Sequence, residues 1–133
     1  MNPKGSTGET TGGTAGRTGR QAEDYCALHL QRAGLRVLAR NWRCRLGEID
    51  LIAQEGETLV FVEVRFRRGQ RYGGARESIG ARKRTRLLAA ARAYLSGRRE
   101  VCCRFDAMLL DSLDPPALEW IRDAIQDAPG QGR

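Results

Sequence analysis

The chain has 133 residues and a formal net charge of +7. This length fits one domain. No apolar run approaches the roughly 18 residues of a membrane-spanning helix, and no apolar segment typical of a signal peptide is present, so we expect a cytoplasmic protein without membrane association.

The N-terminal segment 1–18 consists mostly of Gly, Thr and Ser. Such a segment cannot bury enough apolar surface to offset the entropy lost on ordering, so we predict a disordered tail. Residues 19–126 are predicted to form one folded domain, and residues 127–133 a flexible C-terminal tail.

The first predicted element is a helix. Thr18 and Gln21 have the spacing of a capping box, which predicts that the helix starts there. Apolar residues recur at helical spacing from Ala22 to Ala33, and Gly34 is a plausible end.

Three strands are predicted next, over 35–44, 48–54 and 58–67, with Gly47 and Glu55-Gly56 in the turns. They should form an antiparallel meander. Residues 68–77 contain three Gly and no apolar period, which predicts a basic loop.

A second helix over 79–95 and a fourth strand over 103–110 follow. Because a helix connects strands three and four, we expect them to be parallel. Asp114-Pro115-Pro116 interrupts the chain, and residues 118–125 form a short element of uncertain type. The order α-β-β-β-α-β predicts an α/β fold, a mixed sheet of about four to five strands flanked by helices.

Acidic residues interrupt the apolar strands. Strict alternation places Glu48 and Asp50 on one face of strand two with Ile52, and Glu63 and Arg65 on one face of strand three. Carboxylates are expensive to bury unless they are paired or bind a cation. If the register aligns the two strands, Asp50 and Glu63 can bind Mg²⁺ or Mn²⁺, and Arg65 can contact a phosphate.

Two helical residues are candidates for the same site. Glu23 lies at the edge of the apolar stripe of the first helix, whereas its neighbour Asp24 points away. Lys83 lies between Ile79 and Leu87 on the apolar side of the second helix, where a lysine needs a carboxylate or phosphate partner or extends to solvent.

Structural readings stand beside these functional ones. Asp50 and Glu63 could form a buried ion pair with Arg65, and Glu23 could be an ordinary acid on the flank of its helix. Glu48 could pair with Arg43 or Arg45 at the turn. Asp106 is expected to form a structural salt bridge, and His29 to be a core or rim residue.

Positive charge is concentrated between Arg65 and Arg104, which span thirteen Lys or Arg against two acids. Such a block favours a nucleic-acid partner over a merely solvated surface. The predicted nucleic-acid contacts are Arg67, Arg68, Arg71, Arg76, Arg82, Arg84 and Arg86. The four cysteines lack C-x-x-C spacing and only one His is present, which argues against zinc and favours reduced thiols.

Taken together, several strings resemble the bacterial YraN family, uncharacterised protein family 0102, over roughly residues 19–126. They are Gln21-Ala22-Glu23, Arg40-Asn41-Trp42-Arg43, Gly47-Glu48-Ile49-Asp50-Leu51-Ile52, Phe61-Val62-Glu63-Val64, Lys83 and Arg104-Phe105-Asp106.

That family is similar to Holliday-junction resolvases and the PD-(D/E)xK nucleases. The resemblance implies a restriction-endonuclease-like core in which Glu23, Asp50 and Glu63 are the metal-binding or catalytic acids. Arg65 stands where the superfamily has Lys, and arginine cannot accept a proton near neutral pH.

We therefore expect a Mg²⁺- or Mn²⁺-dependent endonuclease for structured nucleic acid, DNA rather than RNA, with Asp50, Glu63, Arg65, Glu23 and Lys83 in the site. The alternative is a weak or inactive nucleic-acid-binding module on the same fold, and a third class is a structural or assembly protein. A homodimer is expected by analogy with resolvases.

Overall fold

A five-stranded mixed sheet with one helix on each face forms the fold. The computed structural model describes residues 13–66, 80–98 and 101–125. The elements in chain order are α1 (Gly13–Arg32), β1 (Arg36–Cys44), β2 (Gly47–Glu55), β3 (Thr58–Phe66), α2 (Ala81–Leu95), β4 (Cys102–Leu113) and β5 (Pro116–Ile121).

The strands lie in the sheet in the order in which they occur along the chain. β1, β2 and β3 form an antiparallel meander, β4 is parallel to β3, and β5 is antiparallel to β4. The predicted α/β class, the meander and the parallel pair are confirmed. The parallel pair follows from the connection through α2, because a tight hairpin turn cannot join two parallel strands.

Two predicted boundaries are wrong. α1 begins at Gly13, before Thr18, because an existing helix gains one hydrogen bond for each added residue, so a capping box inside a run without proline need not be its start. The segment of uncertain type after Asp114 contains β5, which begins at Pro116 and pairs along β4. Proline is tolerated as the first residue of an edge strand.

The helix ends agree with the sequence. Gly34 follows α1 with φ +99° and Gly97 follows α2 with φ +82°, and this left-handed conformation is one that glycine adopts without a Cβ clash. The expected basic loop, with Arg67 and Ile79 at its borders, lies outside the described residues, as do residues 1–12 of the expected tail. Residues 13–18 of that tail are helical.

The core has two parts, one on each face of the sheet. Ala22, Cys26 and Leu30 of α1 pack against Val60 and Val62 of β3. On the other face, the buried side of α2, formed by Leu87, Ala90 and Ala91, packs against Leu59 and Phe61. Alternate residues of β3 thus support different helices.

The helices of the described segments include none that is long and apolar enough to cross a membrane.

Candidate metal and phosphate site

β2 and β3 separate at Asp50. Their backbone pairing runs from Glu55 opposite Thr58 to Leu51 opposite Val62 and stops there. Beyond this point the Oδ2 atom of Asp50 accepts a 2.8 Å hydrogen bond from the backbone N–H of Val64. The carboxylate thus takes the place of a backbone acceptor, and the opening between the strands holds an acidic side chain.

Strict alternation fails at the same point. Ile49 packs in the core under α2, whereas Leu51, two residues later, packs in the core under α1. Residues two apart in a regular strand share a face, so the pleat reverses at Asp50. The expectation that Glu48, Asp50 and Ile52 share one face is therefore wrong.

The neighbouring strand has a matching irregularity at Asn41. This residue has φ +52°, and the pairing of β1 with β2 includes Arg40 opposite Leu51 and Trp42 opposite Ile49 but omits Asn41 opposite Asp50. Arg40 and Asn41 both contact side chains of α1, while Trp42 packs edge-on against Tyr94 of α2, with ring centroids 5.4 Å apart.

Glu63 is the buried acid of the site. It is 2% exposed, and its Oε2 atom lies 3.4 Å from Lys83 Nζ and 3.8 Å from a terminal nitrogen of Arg65. The sequence left open whether Lys83 would reach the acids, and it does. Glu63 forms the ion pair with Arg65 that the structural reading predicts. Arg65 itself is partly exposed, so only the Glu63 side of the pair is buried.

Lys83 reaches Glu63 because α2 lies close to β2. A Cβ atom built on Gly47 would lie 2.5 Å from the backbone carbonyl oxygen of Arg86, a separation that only a hydrogen side chain permits. This close approach seats the first turns of α2 over the sheet.

Glu23 joins the site from the opposite side. Its side chain is 13% exposed, its Oε1 accepts a 2.9 Å hydrogen bond from Asn41 Nδ2, and Arg40 lies 4.0 Å away. Its neighbour Asp24 is largely exposed and pairs with Arg40. The predicted difference between the two helical acids is confirmed.

Burial raises the pKa of each acidic side chain of the candidate site. Burial, then the negative charge of Glu63, raises the pKa of Asp50 to about 7, while the Val64 N–H and Lys83 oppose the shift. Burial likewise raises the pKa of Glu63, against the lowering effect of Lys83, Arg65 and a hydrogen bond with Asp50. The carboxyls of Asp50 and Glu63 are thus close enough to affect each other's pKa.

Asp50 also connects the two sides electrostatically. Burial and then the charge of Asp50 raise the pKa of Glu23 to about 7, with Asn41 and Arg40 acting in the lowering direction. Burial followed by Asp50 and Glu23 raises the pKa of the Cys26 thiol to about 12. Cys26 is therefore a neutral core residue beside the site.

In the part of the chain that the structure describes, no three His, Cys, Asp or Glu side chains are grouped closely enough to hold a metal ion by themselves. Mg²⁺ commonly takes only one or two protein carboxylates and completes its shell with waters and substrate phosphate. The adjacent pair Asp50 and Glu63 fits that donor set.

The three other candidate residues make structural contacts. Glu48 is exposed and pairs with Arg43, at 3.4 Å. Asp106 is fully buried and accepts hydrogen bonds from the side chains of Arg104 and Trp120. His29 packs edge-on against Trp120 at the rim of the α1 core. These are the structural readings given above.

Three of the seven arginines predicted to contact nucleic acid lie within the described residues. Arg67, Arg68, Arg71 and Arg76 lie outside the described residues. Arg82, Arg84 and Arg86 are exposed on the first half of α2.

The sequence patterns do not predict that Asn41 belongs to the candidate site. Its sequence signal is weak, since Asn is simply the non-glycine residue that best tolerates a left-handed backbone. Nothing in the sequence alone says that it faces Glu23.

The model of an uncharacterised protein family, UPF0102, matches residues 22–110. A UPF0102 protein of Pseudomonas aeruginosa is 49% identical over 113 residues, covering 80% of this chain and 90% of the relative. One from Nitrosomonas europaea is 47% identical over 116 residues, covering 86% and 98%. One from Dechloromonas aromatica is 53% identical over 107 residues, covering 80% and 87%.

Proposed function

Because the chain belongs to the uncharacterised protein family UPF0102, whose name carries no activity, we propose from its own geometry that it is a divalent-metal-dependent endonuclease acting on structured DNA. The observation that carries the proposal is the pair of carboxyls formed by buried Glu63 and half-buried Asp50, which lies where the sheet opens and is flanked by Lys83 and Arg65.

The acid pair supports a cation site. Two neighbouring carboxyls with raised pKa values repel each other as they ionise, and a divalent cation removes that penalty. Asp50 and Glu63 would bind Mg²⁺ or Mn²⁺, with Glu23 assisting through a bound water. The ion would supply an acidified water and neutralise charge on the phosphate.

The flanking cations support a phosphate site. Hydrolysis joins a water oxygen to phosphorus and breaks one phosphorus–oxygen ester bond, so negative charge on the phosphate must be stabilised. Arg65 cannot take the water's proton, but its forked guanidinium suits two phosphate oxygens. Lys83 enters from α2 beside Glu63 and supplies the amine that strand β3 lacks at position 65.

The decisive experiment is cleavage of a labelled four-way DNA junction in Mn²⁺, comparing wild type with Asp50→Asn and Glu63→Gln. Each variant keeps the side-chain shape and removes one charged ligand. We expect at least a ~100-fold loss of cleavage, the upper end of the effect seen for residues that only support metal ligands.

Matched controls are Asp24→Asn and Glu48→Gln, which remove exposed acids next to Glu23 and Asp50 in sequence. Both should cleave within about threefold of wild type, because each acid pairs with a surface arginine. If wild type and both site variants retain the same cleavage, the activity comes from a contaminant and the enzyme proposal is wrong.

A binding module without turnover is the second candidate. It is favoured by one observation, that Lys83 and Arg65 already balance the charge of Glu63. This alternative predicts salt-dependent junction binding with no cleavage and no change on adding Mn²⁺. Arg65→Lys separates the two, since a gain of turnover shows a nuclease site weakened by arginine.

A further inference from the structure

Resting on the proposed function, we infer that Asn41 is a positioning residue of the metal site, acting through Glu23 and through the local backbone of β1. The juxtaposition behind this inference is the Asn41 amide, donating to Glu23, and the irregular backbone that lies opposite Asp50.

The side chain has a defined partner. Asn41 Nδ2 donates a 2.9 Å hydrogen bond to Glu23 Oε1, and among the described residues none makes a hydrogen bond to Oε2 of the same carboxylate. Metal-binding groups are commonly oriented by such partners, and their loss typically weakens metal binding by about 10–100-fold. An amide suits this role because it donates without adding charge to a site already rich in acids.

The backbone has a second role. At φ +52° Asn41 follows Arg40 onto the α1 side of the sheet, and Trp42 then returns to the α2 side. The reversal in β1 matches the reversal in β2 at Asp50, so the two strands stay in register on both sides of it. A regular extended residue at position 41 would send its side chain away from Glu23.

Few residues meet both requirements. Glycine adopts the left-handed conformation freely but has no amide side chain, whereas alanine disfavours this conformation and also lacks the donor. Asparagine combines tolerance of this backbone with a short donor. The two roles can therefore be separated by substitution.

The experiment measures Mn²⁺ affinity of the full chain by calorimetry and by the electron paramagnetic resonance signal of free Mn²⁺, alongside junction cleavage. Asn41→Gly keeps the backbone and removes the amide, and we expect about tenfold weaker Mn²⁺ binding. Asn41→Ala removes the amide and strains the backbone as well, so its affinity should fall further.

A double-mutant cycle with Glu23→Gln distinguishes positioning from a general structural effect. If Asn41 acts through the Glu23 carboxylate, Asn41→Gly should change Mn²⁺ affinity less than about twofold in the Glu23→Gln background. Thermal melts confirm that each variant is folded.

The outcomes separate the two proposals. Mn²⁺ affinity unchanged in Asn41→Gly, or an equal loss in both backgrounds, overturns the positioning role while leaving the nuclease proposal intact. Absence of Mn²⁺ binding by wild type overturns both. A tenfold loss confined to the background with Glu23 supports the inference.

Discussion

At the proposed metal site, protonation of Asp50 would compete with binding of a cation. Its pKa is raised to about 7 by burial and by Glu63, and that of Glu23 is raised to about 7 by burial and by Asp50. Both ordinary values lie near 4, so in the absence of a cation the folded protein binds more protons than the unfolded chain between about pH 4 and 7.

This imbalance fixes the sign of a pH effect. An acid with a raised folded pKa contributes stability that is fully present below its unfolded pKa and is lost as the pH rises through the folded pKa. We expect the Tm measured in EDTA to fall between pH 5 and pH 8, with Mg²⁺ or Mn²⁺ restoring part of the loss at pH 8.

Asp50→Asn provides the control, because an amide keeps the shape and does not ionise. Its Tm in EDTA should depend less on pH than that of wild type and should respond less to Mn²⁺ at pH 8. Scanning calorimetry measures both, and a wild-type Tm that rises steadily from pH 5 to pH 8 would contradict the charge balance described here.

At the scale of the element, α2 has an unusual charge arrangement. Its first turn contains no acid, and Arg82, Lys83 and Arg84 follow its first residue. Cations at a helix N-terminus oppose the helix dipole and cost roughly 0.3–1 kcal/mol each when exposed. The first N–H groups of a helix and these positive charges suit a phosphate, which fits the anionic partner proposed above.

This arrangement predicts effects of opposite sign on stability and binding. Arg82→Glu should raise the free energy of unfolding by up to about 1 kcal/mol, because an acid replaces a base at the positive end of the dipole. It should weaken DNA binding and lower the slope of log K against log [salt] by about 1. Urea unfolding and fluorescence anisotropy measure the two effects.

Arg32→Glu is the matched control at the last residue of α1. It changes the net charge by the same amount, but it removes a favourable cation from a helix C-terminus. Stability should therefore fall, and the salt slope of DNA binding should be unchanged. If both variants weaken DNA binding equally, net charge rather than the α2 end governs the interaction.

For the whole molecule, a polar cluster away from the acidic site fastens the last strand to the sheet. Buried Asp106 on β4 accepts hydrogen bonds from Arg104 Nε, at 3.0 Å, Trp120 Nε1, at 3.0 Å, and the backbone N–H of Asp123, at 2.9 Å. Arg104 also reaches Glu55 of β2, at 2.6 Å. Asp106 thus connects β4 to β5 and to the residues after β5, and Arg104 extends this cluster to β2.

Removing this carboxylate should affect the fold more than the site. Asp106→Ala leaves two N–H donors without their acceptor and Arg104 with Glu55 as its remaining partner, so we expect a loss of roughly 3–5 kcal/mol in the free energy of unfolding. Urea unfolding measures it. Glu55→Gln, at the exposed end of the same cluster, should cost about 1 kcal/mol or less, and comparable losses in the two variants would contradict the structural role of Asp106.

Sequence patterns predict the layered α/β architecture, which the structure confirms, and they single out most residues of the candidate site. The spacing of apolar residues and the positions of glycines predict the helices and strands, because the two kinds of element bury residues at different intervals. Acids within apolar strands mark Asp50 and Glu63 because an unpaired charge is costly in a core. The helical phase separates Glu23 from Asp24 for the same reason that it predicts α1.

The contacts among these residues follow from tertiary packing. Strict alternation along one strand does not predict the pleat reversals at Asn41 and Asp50, which lie opposite each other on neighbouring strands. The reach of Lys83 to Glu63 depends on the close packing of α2 on Gly47. Contacts between segments distant in the chain are set by packing, which a one-dimensional pattern does not encode, and here that packing brings the acids and the lysine to one opening in the sheet.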